Sequence, residues 1–149
     1  MRQGIERLRA AGSNVWLPAY LLLLADVESR QGTQDEALRL LDEAEALIET
    51  QGQPICEAEI HRLRAAVLLE RRAAESLAEA GYVHALSIAQ RQGARFWELR
   101  AAVSLARLWR DQGKRSAARD LLAPIYGWFT EGFDAPDLKD AKAMLDELA

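Results

Sequence analysis

One thiol and two imidazoles are the side chains in this 149-residue sequence that first suggest nucleophilic or soft-metal chemistry. Cys56 precedes His61 by five positions, and a thiol beside an imidazole is the minimum for a thiolate nucleophile. On a helix, however, five steps turn two side chains roughly 140° apart. Cys56 and His61 are therefore not expected to meet, and Cys56 reads as an ordinary residue at the start of a helix. Glu57 and His61 are four apart and share a helix face, a geometry used by metal ligands. Two ligands do not make a site, and the second imidazole, His84, falls on a different helix, so a surface ion pair or helix-stabilising contact is expected. The cluster Asp42-Glu43-Glu45 lies in polar, helical surroundings with no cause for a raised pKa. The expectation is a protein that is not an enzyme, with no catalytic residue, cofactor or metal.

Composition bounds what else the chain does. Half the residues are apolar and 28% are charged, which predicts one packed domain over residues 1–149 and argues against intrinsic disorder. A net charge of −4 disfavours a general nucleic-acid binder. A single Cys excludes an internal disulfide framework and suits a reducing compartment. The longest apolar run, Trp16 to Ala25, is broken by Pro18 and is far below membrane-spanning length. No signal pattern opens the sequence, so a cytoplasmic location with no membrane partner is expected. Charge is nonetheless uneven: residues 1–60 carry −6, residues 61–119 carry +7 and residues 120–149 carry −5. A basic middle attracts an acidic peptide, a phosphorylated segment or the acidic end of another copy; the plainer alternative is solvated arginine on outer faces.

The elements that position these groups repeat. Glycines at 12, 52, 93 and 132 stand 40, 41 and 39 apart, and Gly32 and Gly113 are separated by two such steps. Between them Ala, Leu, Glu, Arg and Gln dominate, which predicts helices over 1–11, 14–31, 34–51, 55–71, 75–92, 96–112, 115–130 and 136–148. Ala37, Leu41, Ala44 and Ile48 form a stripe at steps of four, three and four. The same stripe recurs as Ala78, Tyr82, Ala85, Ala89 and as Ala118, Leu122, Ile125, Phe129, one face of a helix each time. In the middle repeat the counterpart of Gly32 and Gly113 is missing, replaced by Arg71-Arg72-Ala73-Ala74, and the register there is open by one residue. Ser13 is placed to cap the second helix, Thr33 with Glu36 has the capping-box pattern, Pro54 and Pro136 suit first turns, and Pro124 predicts a kink. The units are 1–12 as the end of a preceding repeat, 13–52, 53–93 and 94–132 as repeats, and 133–149 as a capping helix. Among the aromatics, Trp109 and Phe129 are expected to fill the core, while Trp97, Trp128 and Phe133 are balanced between core and docking surface.

The pattern Leu21, Leu24-Ala25, Gly32, Ala37, Leu41, Ala44, repeated as Ala106, Trp109, Gly113, Ala118, Leu122, resembles the tetratricopeptide repeat (TPR), with a period near 40 in place of the usual ~34. The segments EAEIHRLRAAVLL, ALSIAQRQGARFWELRAAVSLARLWRDQGKR and LLAPIYGWFTEGFDAPDLKDAKAMLDEL are similar to the C-terminal end of bacterial signalling proteins. Those proteins join a class III adenylate or guanylate cyclase, or another output domain, to an ATPase and a TPR-like tail. The resemblance implies an all-α, right-handed TPR-like solenoid of antiparallel helix pairs with a C-terminal capping helix. It also implies a regulatory protein-interaction domain equivalent to the tail of a longer chain, and the start at Met1 inside a predicted helix agrees. Cyclase motifs and a phosphate loop are absent, so that activity is not expected here. In such a solenoid the first helix of each pair lines the concave side, which places Leu22, Asp26, Arg30, Arg62, Arg100, Val103, Arg107 and Arg110 toward a groove. Arg100, Arg107 and Arg110 are the expected binding groups, since guanidinium forks recognise carboxylate or phosphate directionally. The partner is a protein or peptide segment of acidic character, or the parent's own output domain. The alternative is a self-association module: Ile5 and Leu8 lack a preceding helix, which leaves the N-terminal end open to another copy.

Overall fold

The computed structural model describes residues 2–12 and 15–149, and in them the chain is helical with no strand. Eight α-helices follow one another: α1 (Arg2–Ala10), α2 (Leu17–Arg30), α3 (Gln34–Gln51), α4 (Glu57–Glu70), α5 (Glu75–Gln92), α6 (Arg95–Asp111), α7 (Arg115–Gly127) and α8 (Pro136–Leu148). A single 3₁₀ turn, Pro54–Cys56, leads into α4. The expected helices are thus recovered, with ends shifted by at most three residues.

The recurring stripe is the core. Ala37, Leu41, Ala44 and Ile48 of α3, all four counterparts on α5, and Ala118, Leu122 and Phe129 are buried, and Ile125 is half-buried. Alanine at the head of each stripe lets the partner helix approach closely. Accordingly α2 packs on α3, α4 on α5 and α6 on α7 as hairpins, and α3 on α4, α5 on α6 and α7 on α8 join consecutive hairpins. The first helices also touch in series: α2 packs on α4, α4 on α6 and α6 on α8, whereas the second helices share no comparable contact.

The turns carry the repeat as clearly as the helices. Every glycine of the two spaced sets has positive φ. Where the middle repeat lacks its glycine, Arg72 adopts φ 57°, the one non-glycine with positive φ among the described residues. It is 40 residues after Gly32 and 41 before Gly113, and this settles the open register. The hydrogen bonds match too. Thr33 N–H donates to Glu28 O at 3.0 Å, Ala73 N–H to Leu68 O at 3.1 Å and Lys114 N–H to Trp109 O at 2.7 Å, the same six-to-one closure of a helix end.

One local expectation needs correction. Thr33 does not form a capping box with Glu36; its hydroxyl donates backward to the Glu28 carbonyl oxygen at 2.8 Å and to Glu28 Oε2 at 2.6 Å. The tight turn at Gly32 aims the hydroxyl at the end of α2, where buried Glu28 needs a donor. Pro124 lies inside α7, as expected, and the helix ends at Gly127, three residues short of position 130. Ser13 lies outside the described residues.

Candidate functional site

The thiol and imidazoles come first. Cys56 is buried at the head of α4 among Ile60, Leu63 and the α2–α3 core. Burial, and then the Glu59 carboxylate, push its thiol up from the usual value, the opposite of what a nucleophile requires. His61 points elsewhere: its Nε2 lies 3.5 Å from Glu45 Oε1 on α3. Its ring meets His84 of α5 edge to face, with centroids 4.6 Å apart. The imidazoles are therefore neighbours, although they stand on different helices. Desolvation lowers the His61 pKa, opposed by Glu45 and assisted by His84 and Arg64. Among the described residues no group of three or more His, Cys, Asp or Glu is arranged to hold a metal ion.

The arginines converge far better. Arg30 of α2, Arg62 of α4, Arg100 and Arg107 of α6, with Ser104, line one cleft of about 280 Å³ closed on its far side by Asp137 and Asp140 of α8. Glu59, beside the cleft, holds two of its arginines. It is buried on α4 and accepts from Arg62 Nε at 2.8 Å and Arg62 Nη2 at 2.7 Å, and Arg100 Nη1 stands 3.0 Å from it. Burial alone would lower the Arg62 guanidinium; the fork onto Glu59 more than reverses this and the net shift is upward. Arg62 Nη1 also donates to Ser104 Oγ at 3.3 Å, tying α4 to α6.

Each arginine has an acidic partner. Arg30 pairs with Asp26 one turn earlier at 2.8 Å. Arg100 reaches Asp137 at 3.6 Å and lies over the Trp97 ring, 5.6 Å from its centroid. Arg107 pairs with Asp140 at 3.1 Å. Arg110 is not part of the cleft lining: one turn beyond Arg107, it binds Asp111 and Glu147 and approaches Met144 Sδ at 3.9 Å. Four of the six expected binding residues thus line one cleft; Asp26 pairs with Arg30 but lines a neighbouring recess with Glu59 and Arg100, and Arg110 serves the α6–α8 seam. Sequence reading missed Glu59, Asp137 and Asp140. Glu59 had a signal, its position three before Arg62 on the same helix.

The aromatics divide. Trp109 is half-buried with its indole N–H on Glu79 at 2.9 Å, and Phe129 is buried. Trp128 and Phe133 are exposed, Arg95 lying over the Trp128 ring. Trp97 donates to the Ile55 carbonyl oxygen at 2.9 Å and edges an apolar recess with Pro54 and Ile55.

No protein-family model matches this chain, and no curated protein matches it. Among the described residues no helix is long and apolar enough to cross a membrane.

Proposed function

We propose that the chain is a non-catalytic interaction domain, a right-handed TPR-like solenoid whose first helices form a concave face that recognises an acidic protein segment. The supporting observation is the convergence of Arg30, Arg62, Arg100 and Arg107, from three successive first helices, on one cleft. Direct packing along α2, α4, α6 and α8, without comparable packing among the second helices, suits curvature toward that side. Arg62 is held rigid by Glu59, while Arg30 and Arg107 sit in solvent-facing pairs of the kind worth only about 0–1 kcal/mol. Carboxylates of a partner exchange for Asp26 and Asp140 at little cost. The sequence resemblance extends the proposal to the C-terminal part of a cytoplasmic bacterial signalling protein with a cyclase or ATPase output.

The test is fluorescence anisotropy with short labelled Glu-rich peptides against Lys-rich controls. Arg30→Glu with Arg107→Glu should weaken Glu-rich binding about tenfold or more, ~1.4 kcal/mol, with helicity unchanged. Equal affinity for wild type and variant rejects the cleft.

A further inference from the structure

The face that carries the arginine cleft continues into a second, apolar hollow. Counted from the matching turns, Ala19, Glu59 and Arg100 hold one position on α2, α4 and α6, and Leu22, Arg62 and Val103 the next. Nearer the N-terminal ends of these three helices, Ala19, Leu22, Cys56, Leu63 and Trp97 line a recess of about 210 Å³. Leu22, Cys56 and Leu63 are 7%, 6% and 4% exposed, and Ala19 and Trp97 are half-buried. The walls therefore come from three successive first helices.

Recess and cleft adjoin through one side chain. Arg100 lines both, with its guanidinium 5.6 Å from the centroid of the Trp97 ring on one side and 3.0 Å from Glu59 on the other. Two carboxylates edge the recess, Asp26 and Glu59, and each already has its counter-charge: Arg30 at 2.8 Å for Asp26, Arg62 at 2.7 Å for Glu59. An apolar side chain enters beside these pairs without disturbing them. A third carboxylate pushed into the recess would face both acids and lose its water. Acidic groups are thus admitted at the cleft and refused at the recess.

We propose that the recess holds one leucine- or phenylalanine-sized side chain of the bound segment, so that the ligand is an acidic peptide with an apolar anchor beside its carboxylates. This rests on the acidic-segment reading of the cleft and adds the register in which the segment lies. The size fits, since an apolar cavity of about 150 Å³ already takes up benzene. Along α6 the step from Trp97 and Arg100 to Ser104 and Arg107 is seven residues, roughly 10 Å of helix. Extended chain covers that distance in about three residues. The anchor therefore stands about three positions from the carboxylates that reach Arg30 and Arg107.

Fluorescence anisotropy with labelled peptides of equal length tests the register. Each peptide has a central run of three Glu and carries the varied residue, Leu, Ala or Glu, three positions to either side, so that either chain direction presents it to the recess. Leu should bind about tenfold tighter than Ala, and Glu no tighter than Ala although it adds charge. Moving the Leu residues nine positions out should abolish the gain. Ala19→Phe, at a half-buried position on the recess wall, should bring the Leu peptide down to the affinity of the Ala peptide with helicity unchanged, whereas Arg107→Glu should weaken all of them. Failure of every Glu peptide to bind rejects the cleft reading and this proposal together. Binding that depends on Arg107 but does not distinguish Leu from Ala, ranks Glu above Leu, keeps the Leu gain at nine positions, or is indifferent to Ala19→Phe overturns the recess alone and leaves the cleft standing.

Discussion

Glycine at position 72 is expected to give a more stable protein than alanine there. Arg72 holds φ 57° at the turn between α4 and α5, the place that Gly32 and Gly113 fill in the flanking repeats. A side chain in this left-handed region costs roughly 1–2 kcal/mol through Cβ crowding. Against that stand the greater freedom of an unfolded glycine, about 0.4–1 kcal/mol, and loss of a cation near the α4 C-terminus, about 0.3–1 kcal/mol at low salt. The Arg72 side chain is exposed and makes no hydrogen bond or ion pair with the described residues, and the backbone N–H that donates to Leu69 O at 3.0 Å is kept in glycine, so nothing else is removed.

The clean comparison is therefore Arg72→Gly with Arg72→Ala at high salt. Both lack the charge, and only glycine is relieved of the crowding. Glycine should exceed alanine by about 1 kcal/mol, ~2–4 °C in Tm for a chain of this size, with Arg72→Asn between them. Thermal and urea unfolding followed by circular dichroism read the difference. Equal midpoints for the three variants would refute the claim that Arg72 sits in a glycine position under strain.

Glu59→Gln should destabilise by about 3–5 kcal/mol, because Arg62 would be left with a buried charge and no counter-charge; a loss below about 1 kcal/mol in urea unfolding would show that Glu59 does not anchor the cleft. Gly81→Ala should destabilise by about 1–3 kcal/mol in spite of a helix-propensity gain near 1 kcal/mol. The new Cβ would lie 2.8 Å from the Ala65 Cβ where α5 crosses α4, and a raised midpoint would contradict that close approach. Stability should be level above about pH 6.5 and fall as pH drops through the depressed pKa of folded His61, since the unfolded imidazole takes up its proton first. The surrounding groups, Glu45, Glu57, Arg64 and His84, stay in place in His61→Gln, which should lose this part of the slope; an unchanged pH profile would remove His61 as its source.

Helices and turns were legible because each is set by local chemistry: alanine and leucine at steps of three and four, and glycine where φ turns positive. The Arg72 turn escaped because backbone geometry was imposed there by the packing of α4 and α5 on either side, against the preference of the residue. The His61–His84 contact escaped for a related reason. The two are 23 residues apart, and their meeting depends on the axial register of two antiparallel helices. Gly81 fixes that register by admitting Ala65, which brings the turn carrying His84 level with the turn carrying His61. Nothing in the spacing of the imidazoles carries this information.

Charge segregation along the sequence acquires a different meaning once the partners are known. The basic middle invited an external acidic ligand, yet much of it is answered within the molecule. Acidic α3 pairs with α4 through Asp42 and Glu45 on Arg64, and Asp35 pairs with Arg71 just beyond α4. Acidic α8 pairs with α6 through Asp137, Asp140 and Glu147 on Arg100, Arg107 and Arg110. Blocks of opposite sign on adjoining helices of consecutive hairpins therefore favour the observed packing and disfavour a slipped register, where like charges would face. If the cleft binds an acidic segment as proposed, the same pairs set its selectivity. A lone carboxylate would gain little over Asp140, because it would exchange one exposed pair for another. A segment presenting several carboxylates at the spacing of successive first helices would release Asp26, Asp137 and Asp140 together and be favoured by multiplicity, a dependence on ligand length that a simple basic patch would lack.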